Sequence, residues 1–111
     1  MTLTLRRDQL EAFAERMRRD IEDRIAAHLL EGIWREADET AVRAFVAAGV
    51  RKAEAYRITS EAHVTRFVLL MAAHGSEFDL QPWAAQLLQS SFHNPDIVMD
   101  ALEYRARKER A

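Results

Sequence analysis

The sequence predicts an all-α fold, a compact single-domain bundle of about five helices over residues 1–111, with a long first helix and a buried third. Three observations carry this. Apolar residues recur at three- and four-residue steps in successive stretches, the helical period. Polar or glycine-bearing stops separate those stretches. With 111 residues, the chain is of ordinary domain size and long enough to bury a core without disulfide or metal support. The hydrophobic fraction of 49% overstates that core, because nineteen of the residues are alanine, which favours helix but contributes little apolar area.

The first helix reads as one stripe, Leu10, Phe13, Met17, Ile21, Ile25 and Leu29. Thr4 can cap it, and Asp8 and Glu11 sit near its positive end. Helix-spaced ion pairs are expected for Arg7 with Glu11, Glu15 with Arg19, and Asp20 with Arg24. Gly32 near Glu31 is the favoured stop, because a glycine inside the helix would cost about 1 kcal/mol. Ile33 continues the stripe of Ile25 and Leu29, however, and the alternative is a helix that passes through Gly32 and finishes near Trp34.

Asp38 or Thr40 opens the second helix, which carries Val42, Phe45, Val46, Val50 and Ala53 and ends near Tyr56. Gly49 inside it marks either a close helix crossing or a merely tolerated glycine. Thr59 or Ser60 caps the third helix, which runs to Gly75 and is apolar nearly all round from Phe67 to Ala73. In the loop that follows, Phe78 and Leu80 are expected to fold back onto the core. Pro82 suits the first position of a fourth helix ending near Ser90, and Asn94-Pro95 repeats a cap-then-proline signal for the fifth.

Composition narrows the function classes. The absence of cysteine excludes a disulfide scaffold, a thiolate metal site and a cysteine nucleophile. The longest non-polar run is far short of the about 20 residues a membrane span needs, and the opening residues lack a signal-peptide core, so a cytoplasmic protein without a membrane partner is expected. A net charge of −2, with basic clusters interleaved with acids, argues against nucleic acid as a partner. So does the fourth helix, which contains no lysine or arginine and therefore makes a poor recognition helix.

The residues for chemistry are sparse. His28, His63, His74 and His93 form no His-x3-His pair and none has Glu three positions earlier, so no cofactor or metal site is predicted. Gly-x-Ser-x-Gly is absent, and Ser76, Ser90 and Ser91 lie at helix boundaries, where serine caps or turns. No catalytic residue is predicted, and a non-enzymatic protein follows. The alternative, a small helical enzyme or ligand-binding bundle, requires a pocket in which His63, His74 or His93 meets a carboxylate.

What remains is protein binding. Trp34, Tyr56, Phe78, Trp83 and Phe92 stand at or near helix ends, where aromatics either close the core or anchor an interface. A homodimer through an apolar face of the first or last helix is a further expectation.

The segment from Tyr56 to Ala84 carries the pattern Tyr56-x-Ile58-Thr59, Val64-x-x-Phe67-x-x-Leu70-Met71, Gly75-x-x-Phe78-Asp79 and Pro82-Trp83-Ala84. With the opening Leu5-Arg6-Arg7-Asp8-Gln9-Leu10, it resembles small helical proteins of Gram-negative bacteria encoded beside type VI secretion components and their toxins. The pattern consists of packing and capping positions and brings no catalytic residue. The resemblance implies an accessory role, as chaperone, adaptor or immunity partner of a secreted toxin or secretion-system component.

Overall fold

The computed structural model describes residues 6–89 and 94–110, and in these the fold is all-α. The elements are α1 (Arg7–Glu31), α2 (Glu39–Ala55), α3 (Glu61–His74), a 3-10 turn (Phe78–Leu80), α4 (Pro82–Leu88) and α5 (Pro95–Arg110). The backbone, expected as one unit, divides between Ala44 and Phe45 into two compact units, each described by itself.

The first unit holds α1 and the opening turn of α2. Thr4 lies outside the described residues, and the N-cap of α1 is Arg6, whose backbone N–H donates to Gln9 Oε1 at 2.9 Å. Gly32 ends the helix as expected, its N–H donating to the Leu29 carbonyl. Of the ion pairs, Arg7–Glu11 forms at 3.5 Å, whereas Glu15 pairs with Arg18 rather than Arg19. Asp38 caps α2 by accepting from the Ala41 N–H at 3.0 Å. Arg43 then ties α2 to α1, reaching Asp23 at 2.7 Å and Glu39 at 3.1 Å.

The single apolar stripe expected of α1 is corrected. Ile25, Ala26 and Leu29 are buried, but Leu10, Phe13 and Met17 are 50%, 57% and 50% exposed. The reason is geometric. A four-residue step advances about 400° at roughly 100° per residue, so an unbroken run of such steps precesses about 40° each time. From Phe13 to Leu29 the run turns through about 160°, and one stripe in the sequence becomes two faces of the helix.

The second unit holds the rest of α2, α3, the 3-10 turn, α4 and α5. α3 packs on α5 and on the 3-10 turn, and α4 packs on both as well. Its core is built from Val46, Val50, Val64, Phe67, Val68, Met71, Phe78, Leu88, Met99 and Leu102, with α3 the most buried element. At Gly49 the crossing of α2 and α3 is close: a Cβ there would lie 3.0 Å from both Met71 Sδ and Val68 Cγ2. Ser60 Oγ caps α3 by accepting from the His63 N–H, and Asn94 Oδ1 caps α5 by accepting from the Asp96 N–H at 3.0 Å. Gly75 ends α3 with φ +104°, a conformation that L side chains resist. Leu80 departs from expectation. Phe78 turns inward to 1% exposure, while Leu80 stays 64% exposed, because two residues apart in a 3-10 turn cannot share a face.

Candidate functional site

Among the aromatic candidates, Tyr56, Phe78 and Trp83 converge in the second unit. The Phe78 ring lies 5.1 Å from Phe67 and 6.0 Å from Trp83, Tyr56 lies 6.1 Å from Phe67, and Trp83 meets His74 at 5.9 Å. Such pairs add about 0.5–1.5 kcal/mol beyond area burial. Phe78 is buried outright, and Tyr56 and Trp83 are half-buried around it, so this cluster closes the core and presents only an edge to solvent. Trp34 belongs to the first unit, half-buried in the turn after α1, with its backbone N–H donating to the Leu29 carbonyl at 2.8 Å. Phe92 and His93 lie outside the described residues.

Beside the aromatic cluster sits a polar latch that the sequence reading missed. Asp79 is 3% exposed. Its carboxylate accepts from Tyr56 Oη at 2.7 Å and from Lys52 Nζ at 3.0 Å, and Lys52 also donates to the Ser76 carbonyl at 2.6 Å. Burial, and then the hydrogen bond to Asp79, push the Tyr56 phenol up to about 12. The latch pins the 3-10 turn to the end of α2. A buried charge with both oxygens satisfied is a fixing device first. The signal that could have found it is the placement of Asp79 directly after the inward Phe78, inside the Gly75-x-x-Phe78-Asp79 pattern.

The enzyme alternative required a histidine facing a carboxylate, and His63 does so. Nε2 lies 2.6 Å from Asp96 Oδ1 and Nδ1 lies 2.5 Å from Ser60 Oγ. The line runs along the surface, however, with Ser60 exposed and the Asp96 side chain 77% exposed. Ser60 Oγ is also engaged as the α3 cap. What the arrangement does is hold the N-terminus of α3 to that of α5. One turn further along, Arg66 reinforces the same seam, reaching Asp100 and Glu103 at 2.6 Å each. These hydrogen bonds raise the Arg66 guanidinium and hold the Glu103 carboxyl below the usual range.

Past that seam, Leu70, Ala73, His74, Glu103, Ala106 and Arg107 line a shallow groove of about 280 Å³. Its acid is already committed to Arg66. Among the described residues, no three histidine or carboxylate side chains gather into a metal site. No helix among them is long and apolar enough to cross a membrane.

The most distinctive surface is on α1. Leu10, Phe13 and Met17 lie roughly 130° round the helix from the mean direction of Ile25, Ala26 and Leu29, so they face away from its buried side. Gln9, Leu10, Ala12, Phe13 and Arg16 line a hollow of about 410 Å³ there. Contiguous large apolar side chains in water mark interaction surfaces, whereas scattered ones do not. Unlike the helix-end aromatics, these residues read from sequence as core. No family model, curated protein or solved structure matches the chain.

Proposed function

We propose that the protein is a non-enzymatic helical module that binds another protein through the outer face of α1. The observation that carries this is the exposure of Leu10, Phe13 and Met17 on one side of a helix whose other side is buried. The polar constellations of the second unit are consumed in fixing helices to one another. A stripe of this kind gains affinity from desolvating a few large side chains, while flanking Arg6, Arg16 and Asp20 set orientation. The partner class rests on the resemblance to helical proteins encoded beside type VI secretion genes. Its pattern residues Ile58, Val64, Phe67, Leu70, Met71, Phe78 and Ala84 build the core of the second unit, which leaves recognition to surfaces outside the pattern. The role is that of a chaperone, adaptor or immunity partner of a secreted toxin or spike component, acting in the cytoplasm.

The test is affinity capture from the native host with wild-type protein and a Leu10→Ser, Phe13→Ser, Met17→Ser variant. Recovery of a toxin or secretion component by the wild type and its loss with the variant is the expected result. Recovery of neither, or equal recovery by both, defeats the reading.

A second reading, a small hydrolytic enzyme, would rest on the surface line Ser60–His63–Asp96 between the N-termini of α3 and α5. Its test is hydrolysis of an activated ester that disappears in both Ser60→Ala and His63→Asn.

A further inference from the structure

Resting on the reading of α1 as a protein-binding face, we infer that Met17 is a site of reversible oxidation, at which a hydroperoxide converts the thioether to a sulfoxide and switches that face off. Three of the four methionines lie among the described residues, and they divide sharply. Met71 is 2% exposed and Met99 0%, both in the core of the second unit, whereas Met17 is 50% exposed on α1. Met71 is enclosed further by the close α2–α3 crossing, where a Cβ at Gly49 would lie 3.0 Å from its Sδ and 3.4 Å from its Cε. An oxidant therefore reaches Met71 and Met99 only when the second unit opens, but reaches Met17 in the folded chain. The chain has no cysteine to intercept the oxidant first, so an exposed thioether is the softest reductant it offers.

The step balances without a cofactor. With hydrogen peroxide, a lone pair on Met17 Sδ attacks one peroxide oxygen and the O–O bond breaks. The departing hydroxide takes up the proton of the transferred oxygen and leaves as water. Sulfur is oxidised by two electrons to the sulfoxide, and the peroxide is reduced.

Position gives the change its effect. Met17 lies one turn beyond Phe13 on the same side of α1 and supplies one of the three large apolar side chains there. A sulfoxide is polar, and a partner seated on the face would have to desolvate it. The fold is spared, because Met17 faces away from Ile25, Ala26 and Leu29. Oxidation thus alters recognition and leaves the helix in place.

Graded hydrogen peroxide on the full chain, followed by peptide mass spectrometry, hydrophobic-interaction chromatography and circular dichroism, tests this. Met17 sulfoxide should form roughly tenfold or more faster than the sulfoxides of Met71 and Met99. The chain oxidised at Met17 should keep its helical signal and melting temperature and elute earlier from a phenyl column. Methionine sulfoxide reductases with a thiol should restore the late elution. Met17→Leu should elute late and stay there after the same peroxide treatment. Oxidation of Met71 or Met99 as fast as Met17 overturns the inference, as does helix loss on oxidation of Met17. Unchanged elution, or a Met17→Leu chain that shifts equally, overturns it too. No partner protein enters these measurements, so their failure and a failed affinity capture are distinguishable.

Discussion

The Tyr56 hydroxyl donates a 2.7 Å hydrogen bond to Asp79 Oδ2, joining the end of α2 to the buried 3-10 turn. Removing the donor strands one oxygen of a carboxylate that is 3% exposed. Tyr56→Phe keeps the ring against Phe67 and should lower stability by about 1–2 kcal/mol, the cost of one unsatisfied charged acceptor. Asp79→Asn should cost about 2 kcal/mol, since Lys52 and Tyr56 then both lose their charged partner, although Lys52 is 29% exposed and recovers some hydration. Urea unfolding of both variants checks the order. A Tyr56→Phe protein as stable as the wild type would show that the latch contributes nothing.

The same contact predicts an alkaline transition. The Tyr56 phenol is raised to about 12 in the folded chain, against about 10 when unfolded. A raised folded value means that the stabilisation is fully present below pH about 10 and is lost as pH climbs towards about 12. In a Tyr104→Phe background, tyrosinate absorbance should therefore appear late in an alkaline titration, coincident with loss of the helical signal. Ionisation near pH about 10 in a fully folded protein would contradict the buried hydrogen bond.

Gly49 tests the α2–α3 crossing. Alanine would gain about 1 kcal/mol in helix propensity. Against that, its Cβ would lie 3.0 Å from Met71 Sδ and Val68 Cγ2. Met71 can flex, but Val68 is branched at Cβ and fully buried, so overpacking at about 1–3 kcal/mol wins. Gly49→Ala should lower stability by about 1 kcal/mol, and the companion Val68→Ala should reverse part of the effect in a double-mutant cycle. An alanine variant with a higher melting temperature than the wild type would place the helices further apart than described.

At the α3–α5 seam, Arg66 is 27% exposed and Glu103 34%, so screening reduces what the pair supplies to about 1 kcal/mol. The Glu103 carboxyl is depressed, chiefly by its hydrogen bond to Arg66. A depressed acid stabilises above its unfolded value and loses that contribution as pH falls through the folded one. The stability gap between wild type and Arg66→Met should be full at neutral pH and shrink below pH about 4. A gap unchanged in acid would mean that Arg66 acts through its aliphatic stem alone.

The helix limits were legible because their determinants are local. Ser60, Asn94-Pro95, Pro82 and Gly75 each terminate or begin a helix through chemistry within four residues, and the structure uses all of them. The two faces of α1 were less legible, since runs of four-residue steps look like one stripe until their rotation is followed. Leu80 was misplaced for a related reason: loop hydrophobicity carries no period with which to assign a side. The Lys52–Asp79 contact spans 27 positions and the Arg43–Asp23 contact 20, distances over which a single sequence offers no pairing signal. Histidine spacing offered no motif, and His63 meets Asp96 across 33 positions, a contact that the packing of α3 on α5 creates.

The strain at Arg57 yields the last prediction. It is the single non-glycine residue with positive φ among those described, at 64°. Its position explains why. The Ile58 N–H donates to the Ala53 carbonyl and the Arg57 N–H to that of Glu54, the paired bonds of a Schellman stop, which demands a left-handed residue between helix and exit. Ile58, buried at 2%, is thereby turned in over Ala53, so the motif is held by packing even though its left-handed position lacks glycine. The left-handed conformation costs an ordinary residue about 1–2 kcal/mol. Glycine would relieve that but add about 0.4–1 kcal/mol of chain entropy to the unfolded state. The difference favours Arg57→Gly by about 0.5–1 kcal/mol, while Arg57→Val, branched at Cβ, should destabilise by about 1 kcal/mol. Thermal melts of the two variants bracket the wild type if the motif is as described. A glycine variant that melts below the valine variant would mean that the chain leaves α2 by another route.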